Sequence, residues 1–174
     1  MTSAENLFIF TASTLFLILV IFVKNMPWKK LGFQSKHLFN GWWQVLLFNI
    51  VIFSLVQATL VTKFIVLPTW ITDKDPLLSL LVIVFFQELL FRGVLISWLE
   101  RWGNRKAIFL STLIFVTFHL VAPYAWSVVG LSFALLTFVA GYFWAWHFLK
   151  FRNIYLLTIS HLLVNLSFNY LLLN

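Results

Sequence analysis

The chain has 174 residues, of which 62% are hydrophobic and 10% charged, with a mean hydropathy of +0.98 and a formal charge of +7. A water-soluble domain carries about 45–50% apolar and about 25% charged residues, so this composition excludes a soluble globular fold and points to a chain whose solvent is lipid. The absence of cysteine excludes disulfides, thiolate metal sites and cysteine nucleophiles, and the positive charge reads as a topology signal on loops, so no nucleic-acid partner is expected.

The first apolar run, Leu7 to Val23, has Glu5 where a signal peptide carries Lys or Arg, and it lacks a small-residue cleavage site, so it reads as a retained span. A polar stretch from Lys24 to Gly41 follows. Further apolar runs occupy about Trp42–Leu67, Leu77–Leu99, Ala107–Ala122, Ser127–Leu149 and Ile154–Leu173. These lengths suit membrane helices of about 20 residues, and the missing period-2 alternation argues against a membrane β-barrel. The expected fold is all-α, a polytopic membrane helix bundle of about six transmembrane helices. Residues 1–174 form one integral membrane domain in this reading, since neither a repeat nor a Gly/Ser linker divides them.

Basic residues fall on alternate connections. Lys24, Lys29, Lys30 and Lys36 follow the first span, Arg101, Arg105 and Lys106 the third, and Lys150 and Arg152 the fifth. The opposite side has only Lys74, between Asp73 and Asp75. The positive-inside rule then places the three basic connections in the cytoplasm and both termini outside. Trp28, Trp42, Trp43, Trp98, Trp102, Trp144 and Trp146 lie near inner boundaries, and Trp70 and Trp126 near outer ones, which reads as an aromatic belt.

Ionisable groups within a span cost at least about 2.5–3.5 kcal/mol each on insertion scales, so each marks a site. Glu88, Arg92, His119 and His161 stand out, joined by the polar Gln87 and Asn165. Lys63 and His147 lie nearer span ends, where snorkelling or interfacial hydration accounts for them. Glu88 and Arg92 are four apart, on one helix face, and permit an ion pair; His161 and Asn165 stack in the same way. An ion pair alone can serve assembly, and a lone buried His usually just bonds a backbone carbonyl. Three spans with polar groups at one depth point further. At 1.5 Å per residue, Glu88, His119 and His161 lie roughly 17, 12 and 20 Å below the outer boundary of a core about 30 Å thick, depths that suit a shared cavity.

These residues resemble the CAAX protease and bacteriocin-processing family, also called the Abi family, of intramembrane endopeptidases. Its pattern is Glu-Glu-x-x-x-Arg, Phe-x-x-x-His and His-x-x-x-Asn/Asp on successive core helices. Here stand Gln87-Glu88…Arg92, then Phe115…His119, then His161…Asn165. The match covers about residues 80–170, within a motif-bearing core of about 77–173. The resemblance implies a glutamic-type endopeptidase acting in or near the membrane on a peptide, leader or sorting-signal substrate. It implies that His119 polarises water and that His161 and Asn165 form an oxyanion hole, with Glu88 as the catalytic carboxylate and Gln87, Arg92 and Phe115 in support.

One position departs from the pattern: Gln87 stands where the first glutamate is expected, and a carboxamide cannot serve as a carboxylate base. Three outcomes stay open. Glu88 takes over as base aided by His119, or Gln87 holds a water for His119, or the chain is a catalytically impaired homologue acting as a membrane binding or bacteriocin-immunity protein. An active peptidase is the favoured reading. A Glu with two His also resembles a zinc set, yet His-Glu-x-x-His is absent and Arg92 sets a cation beside any metal, so no metal and no other cofactor is expected. A small transporter is the remaining alternative, with little support because paired half-repeats and Gly/Pro-broken helices are not evident. The expected partners are a membrane-associated peptide or protein substrate and the lipid bilayer. The short connections suggest the bacterial cytoplasmic membrane.

Overall fold

A computed structural model of the chain describes residues 16–17, 20, 26–34, 39–61, 77–120 and 128–167; for 59–61 and 128–130 only the backbone is described. Most of the first apolar run, the ends of the second and sixth, and the positions of Lys24, Lys36, Lys63, Trp70, Asp73, Lys74, Asp75 and Trp126 lie outside these residues. The described part is helical, with no strand among the described residues. Five helices follow in order: α1 (Trp42–Val61), α2 (Leu77–Trp102), α3 (Asn104–His119), α4 (Val128–Phe151) and α5 (Ile154–Leu166). Leu77–Trp102, with 26 residues, and Leu131–Phe151, with 21, are long and apolar enough to cross a bilayer, while Trp42–Ala58 and Ile154–Leu166 are shorter apolar helices.

The connections are tighter than hydropathy alone suggests. Helix α2 runs on through Glu100 and Arg101 to Trp102, three residues past the expected Leu99, and α3 starts immediately after Gly103. The basic residues taken for a loop therefore ride on helix ends. Helix α4 closes at Arg152, whose N–H bonds Phe148 O at 2.7 Å in a left-handed conformation with φ 48°. Asn153 then starts α5 by accepting the Leu156 N–H on Oδ1 at 3.1 Å, an N-cap that satisfies a donor the helix leaves open.

Helix α3 packs along α4, and α5 packs against both α1 and α2. Phe91, Phe115, Trp144, Phe148, Ile154 and Leu157 form the core between them. Buried hydroxyls bond their own helices: Thr112 donates to Ile108 O at 2.7 Å and Thr158 to Ile154 O at 2.9 Å. That return to the backbone lets a hydroxyl sit in an apolar interior without water. Outward faces carry exposed Leu46, Leu47 and Ile50 on α1, Leu131 and Leu135 on α4, and Ile159 and Leu163 on α5. Helices apolar on both the inner and the outer side are what a lipid solvent demands.

Three connections meet at one end. The turn 26–34 inserts Leu31, fully buried, beside Leu89 and Val94 of α2, and Gly32 O accepts the Ile154 N–H at 3.2 Å. Ser97 Oγ donates to Lys30 O at 2.9 Å, and Arg152 donates to Lys30 O at 3.3 Å and to Ser97 Oγ at 3.1 Å. Glu100 pairs with Arg152 and lies 3.9 Å from Lys30 Nζ. One residue from each of the three basic connections thus shares a single cluster.

Two side chains sit elsewhere than the sequence predicts. Trp28, Trp42, Trp43, Trp98 and Trp102 are exposed, as a belt requires, but Trp144 is 2% exposed and belongs to the core. His147 is fully buried rather than hydrated: its Nε2 lies 3.1 Å from Gly41 O. A Cβ on residue 41 would stand 2.5 Å from that nitrogen, so glycine is what admits the ring.

Candidate active site

The three motif helices deliver their polar residues to one region. Nδ1–H of His161 on α5 donates to Oε1 of Glu88 on α2 across 2.7 Å. Both side chains are buried, at 4% and 0% exposure. The other carboxylate oxygen, Oε2, faces Arg92 Nε at 3.3 Å, charge against charge without an aligned hydrogen bond. Pairing of this kind is what keeps a carboxylate and a guanidinium tolerable in an apolar interior.

Arg92 is held by more than Glu88. Its Nη2 donates to Gly141 O on α4 at 3.4 Å. The guanidinium carbon lies 4.1 Å above the Phe115 ring, with the rings of Trp144 and Phe91 at 5.5 and 5.9 Å, a setting in which aromatic faces attract the cation. Gly141 makes this approach feasible, because a Cβ there would meet Phe115 Cδ1 at 3.0 Å. Helix α2 is π-helical over Leu89–Ile96, directly after Glu88. The wider i→i+5 turn carries Arg92, in line with the tendency of π segments to mark functional sites.

His119 is the last residue of α3, and its Nδ1 lies 2.7 Å from Phe115 O. A carbonyl only accepts, so Nδ1 carries the proton and Nε2 the lone pair of the neutral ring. Phe115 touches both imidazoles, with centroids 4.3 Å from His119 and 6.0 Å from His161. Each histidine thus spends Nδ1 on an anchor, and neither Nε2 has a protein partner among the described residues.

A cavity of about 60 Å³ opens beside these groups. His119, His161 and Asn165 line it, together with Phe115, Ile52 and Val56 of α1, and Thr137, Ala140 and Trp144 of α4. At about 10–15 Å³ of such volume per water, it has room for a few waters. Glu88 and Arg92 are not in its wall and reach it through His161 and Phe115. Gln87 is half-buried and does not line it. The structure therefore gathers His119, His161 and Asn165 at one surface, sets Glu88, Arg92 and Phe115 behind them, and leaves Gln87 apart.

Sequence reasoning missed Trp144. Its indole stacks on His161 with centroids 4.4 Å apart and planes 26° apart. Hydropathy gives no signal for this, since an aromatic residue near a span end looks the same in a belt and in a core. Among the described residues no three His, Asp or Glu side chains gather as a metal-binding group, and the Glu88 carboxylate lies against His161 and Arg92.

Residues 75–167 match the family described as type II CAAX prenyl endopeptidase Rce1-like. No curated protein and no solved structure matches the chain. The matched stretch is more than half of the chain and contains Glu88, Arg92, Phe115, His119, His161 and Asn165. The chain therefore belongs to the Rce1-like family of CAAX proteases, membrane proteins of the endopeptidase kind.

Proposed function

We propose that this protein is an intramembrane endopeptidase of the glutamic-type family in which Glu88 works through His161 and the base is His119. One observation carries this reading: both histidines are anchored through Nδ1 and line the same cavity as Asn165, whose carboxamide has no hydrogen bond among the described residues. A water in the cavity attacks the carbonyl carbon of the scissile peptide bond while His119 Nε2 takes its proton. The oxyanion receives Asn165 Nδ2–H and His161 Nε2–H. For His161 to give that bond while its Nδ1–H is held by Glu88, the ring carries both protons and faces a carboxylate. The carbon–nitrogen bond then breaks, and His119 returns its proton to the leaving amine. General base catalysis and preorganised oxyanion donors are what an unreactive amide needs, each donor being worth about 10²–10³ in rate.

The substrate in this reading is a peptide, leader or sorting signal lying in or beside the bilayer, and the site works without metal. Six spans with both termini outside, in a bacterial cytoplasmic membrane, complete the proposal. The cluster of Lys30, Glu100 and Arg152 supports placing the three basic connections on one side, and the positive-inside rule assigns that side to the cytoplasm. The second reading, an impaired homologue that binds membrane segments without cutting them, rests on Gln87.

The test is cleavage of a quenched peptide library in liposomes by wild type and by His119→Ala, His161→Ala and Asn165→Ala, with and without chelator. Wild-type cleavage that resists chelator and falls at least about 10²-fold in each variant supports the proposal. An inert wild type, or loss of activity with chelator, overturns it.

A further inference from the structure

No motif residue lies near Trp144 in sequence, yet its indole is the surface on which His161 lies. The two rings are nearly parallel at 4.4 Å and 26°. What fixes the plane of the indole is a chain of hydrogen bonds across three helices. Trp144 Nε1–H on α4 donates to Ser160 Oγ on α5 at 2.9 Å, and Ser160 donates in turn to Asn49 Oδ1 on α1 at 3.1 Å. Ser160 is fully buried and immediately precedes His161. A buried indole N–H usually finds some acceptor, so the first bond alone says little. Here the acceptor spends its own proton on α1, which directs the hydroxyl lone pairs to the indole and gives the chain one direction.

We propose that Trp144, Ser160 and Asn49 are positioning residues for His161: the chain Asn49–Ser160–Trp144 holds the indole face against the imidazole and so aims Nε2 at the cavity. This rests on the proposed peptidase site for its consequence in catalysis, but the geometry it claims is independent of cleavage. Three constraints then act on the ring. Glu88 holds Nδ1, Phe115 meets the ring at a steep angle of 74°, and Trp144 covers one face. Through Asn49, α1, which bears no motif, takes a role in the site beyond the two aliphatic side chains it lends to the cavity wall.

The experiment is nitrogen NMR of histidine-labelled protein in bicelles, with the His161 signals assigned by His161→Gln. Wild type is compared with Ser160→Ala, Asn49→Ala and Ser160→Thr, and cleavage is measured on the same samples. Ser160→Ala deletes one atom, and Ser160→Thr keeps the hydroxyl. The expected result is that Ser160→Ala and Asn49→Ala move the His161 ring signals and their pH profile, that Ser160→Thr restores them, and that the His147 signals stay put. Where the protein cleaves, kcat falls about tenfold or more with KM unchanged, the signature of a misaimed group. His161 signals that are the same in wild type, Ser160→Ala and Asn49→Ala overturn the inference. Signals that move in a protein that never cleaves uphold the positioning chain and sink the peptidase reading instead.

Discussion

His161 and Glu88 stand 73 positions apart in the chain, yet their side chains meet at 2.7 Å in the buried interior. The contact makes one carboxylate serve two partners, since Oε2 of Glu88 faces Arg92 at 3.3 Å. Removing one member of such a group leaves the others uncompensated in a medium that solvates them poorly. Glu88→Gln is therefore expected to destabilise the protein by about 3–5 kcal/mol and to lower cleavage, while Glu88→Gln combined with Arg92→Leu recovers a large part of the stability and none of the activity. Thermal unfolding in detergent together with cleavage rates checks this. A double variant no more stable than Glu88→Gln means that Arg92 is not the group left stranded.

Gln87 gives a sharper test of where the base resides. Adjacent residues on a helix point about 100° apart, so a carboxylate at 87 does not replace one at 88. With Gln87 off the cavity wall, Gln87→Glu is expected to change the cleavage rate by less than the tenfold that a 1.4 kcal/mol effect on the barrier produces. A larger increase, or activity appearing in a silent wild type, assigns the base to position 87 and marks the natural chain as impaired.

The motif residues were legible because lipid makes polar side chains conspicuous. Glu88, Arg92, His119, His161 and Asn165 are isolated in apolar runs, and their spacing already implied the Glu88–Arg92 pair and the shared face of His161 and Asn165. What the spacing did not show is that Glu88 sits behind His161. That contact joins two helices, and no local pattern encodes it. Trp144 and His147 were misplaced for a related reason: where every span is apolar, hydropathy cannot separate a side facing lipid from one facing protein. The helix ends ran past their expected limits because Gly103 alone makes the turn between α2 and α3.

Phe115 depends on the nearness of the α4 backbone. A Cβ on residue 141 would lie 3.0 Å from Phe115 Cδ1, 3.4 Å from Thr112 Cγ2 and 3.6 Å from Arg92 Nη2. Gly141→Ala is expected to push the Phe115 ring, which contacts both histidines, at a cost of about 1–3 kcal/mol for overpacking. Cleavage falls with it, by about tenfold or more if the imidazoles shift. An unchanged melting temperature and rate would show that Phe115 has room to move.

The shared cluster at the basic connections predicts the outcome of a labelling experiment. The chain has no cysteine, so each single-cysteine variant carries one thiol. Lys29, Arg105 and Lys150 are exposed and lie on the three connections joined through Lys30, Glu100 and Arg152. Lys29→Cys, Arg105→Cys and Lys150→Cys are expected to react with an impermeant maleimide in inverted vesicles only, and Lys74→Cys in right-side-out vesicles only. Lys29, Arg105 and Lys150 are outside the ion pairs of the cluster, and substitutions at such exposed positions cost about 0.5 kcal/mol or less, so the fold stays in place. Two separate ideas are at stake. The ion-pair cluster requires the three positions to label together, whereas the positive-inside rule decides the side. Joint labelling from the outer side would keep the bundle and invert its orientation, while a split among the three would break the six-span arrangement itself.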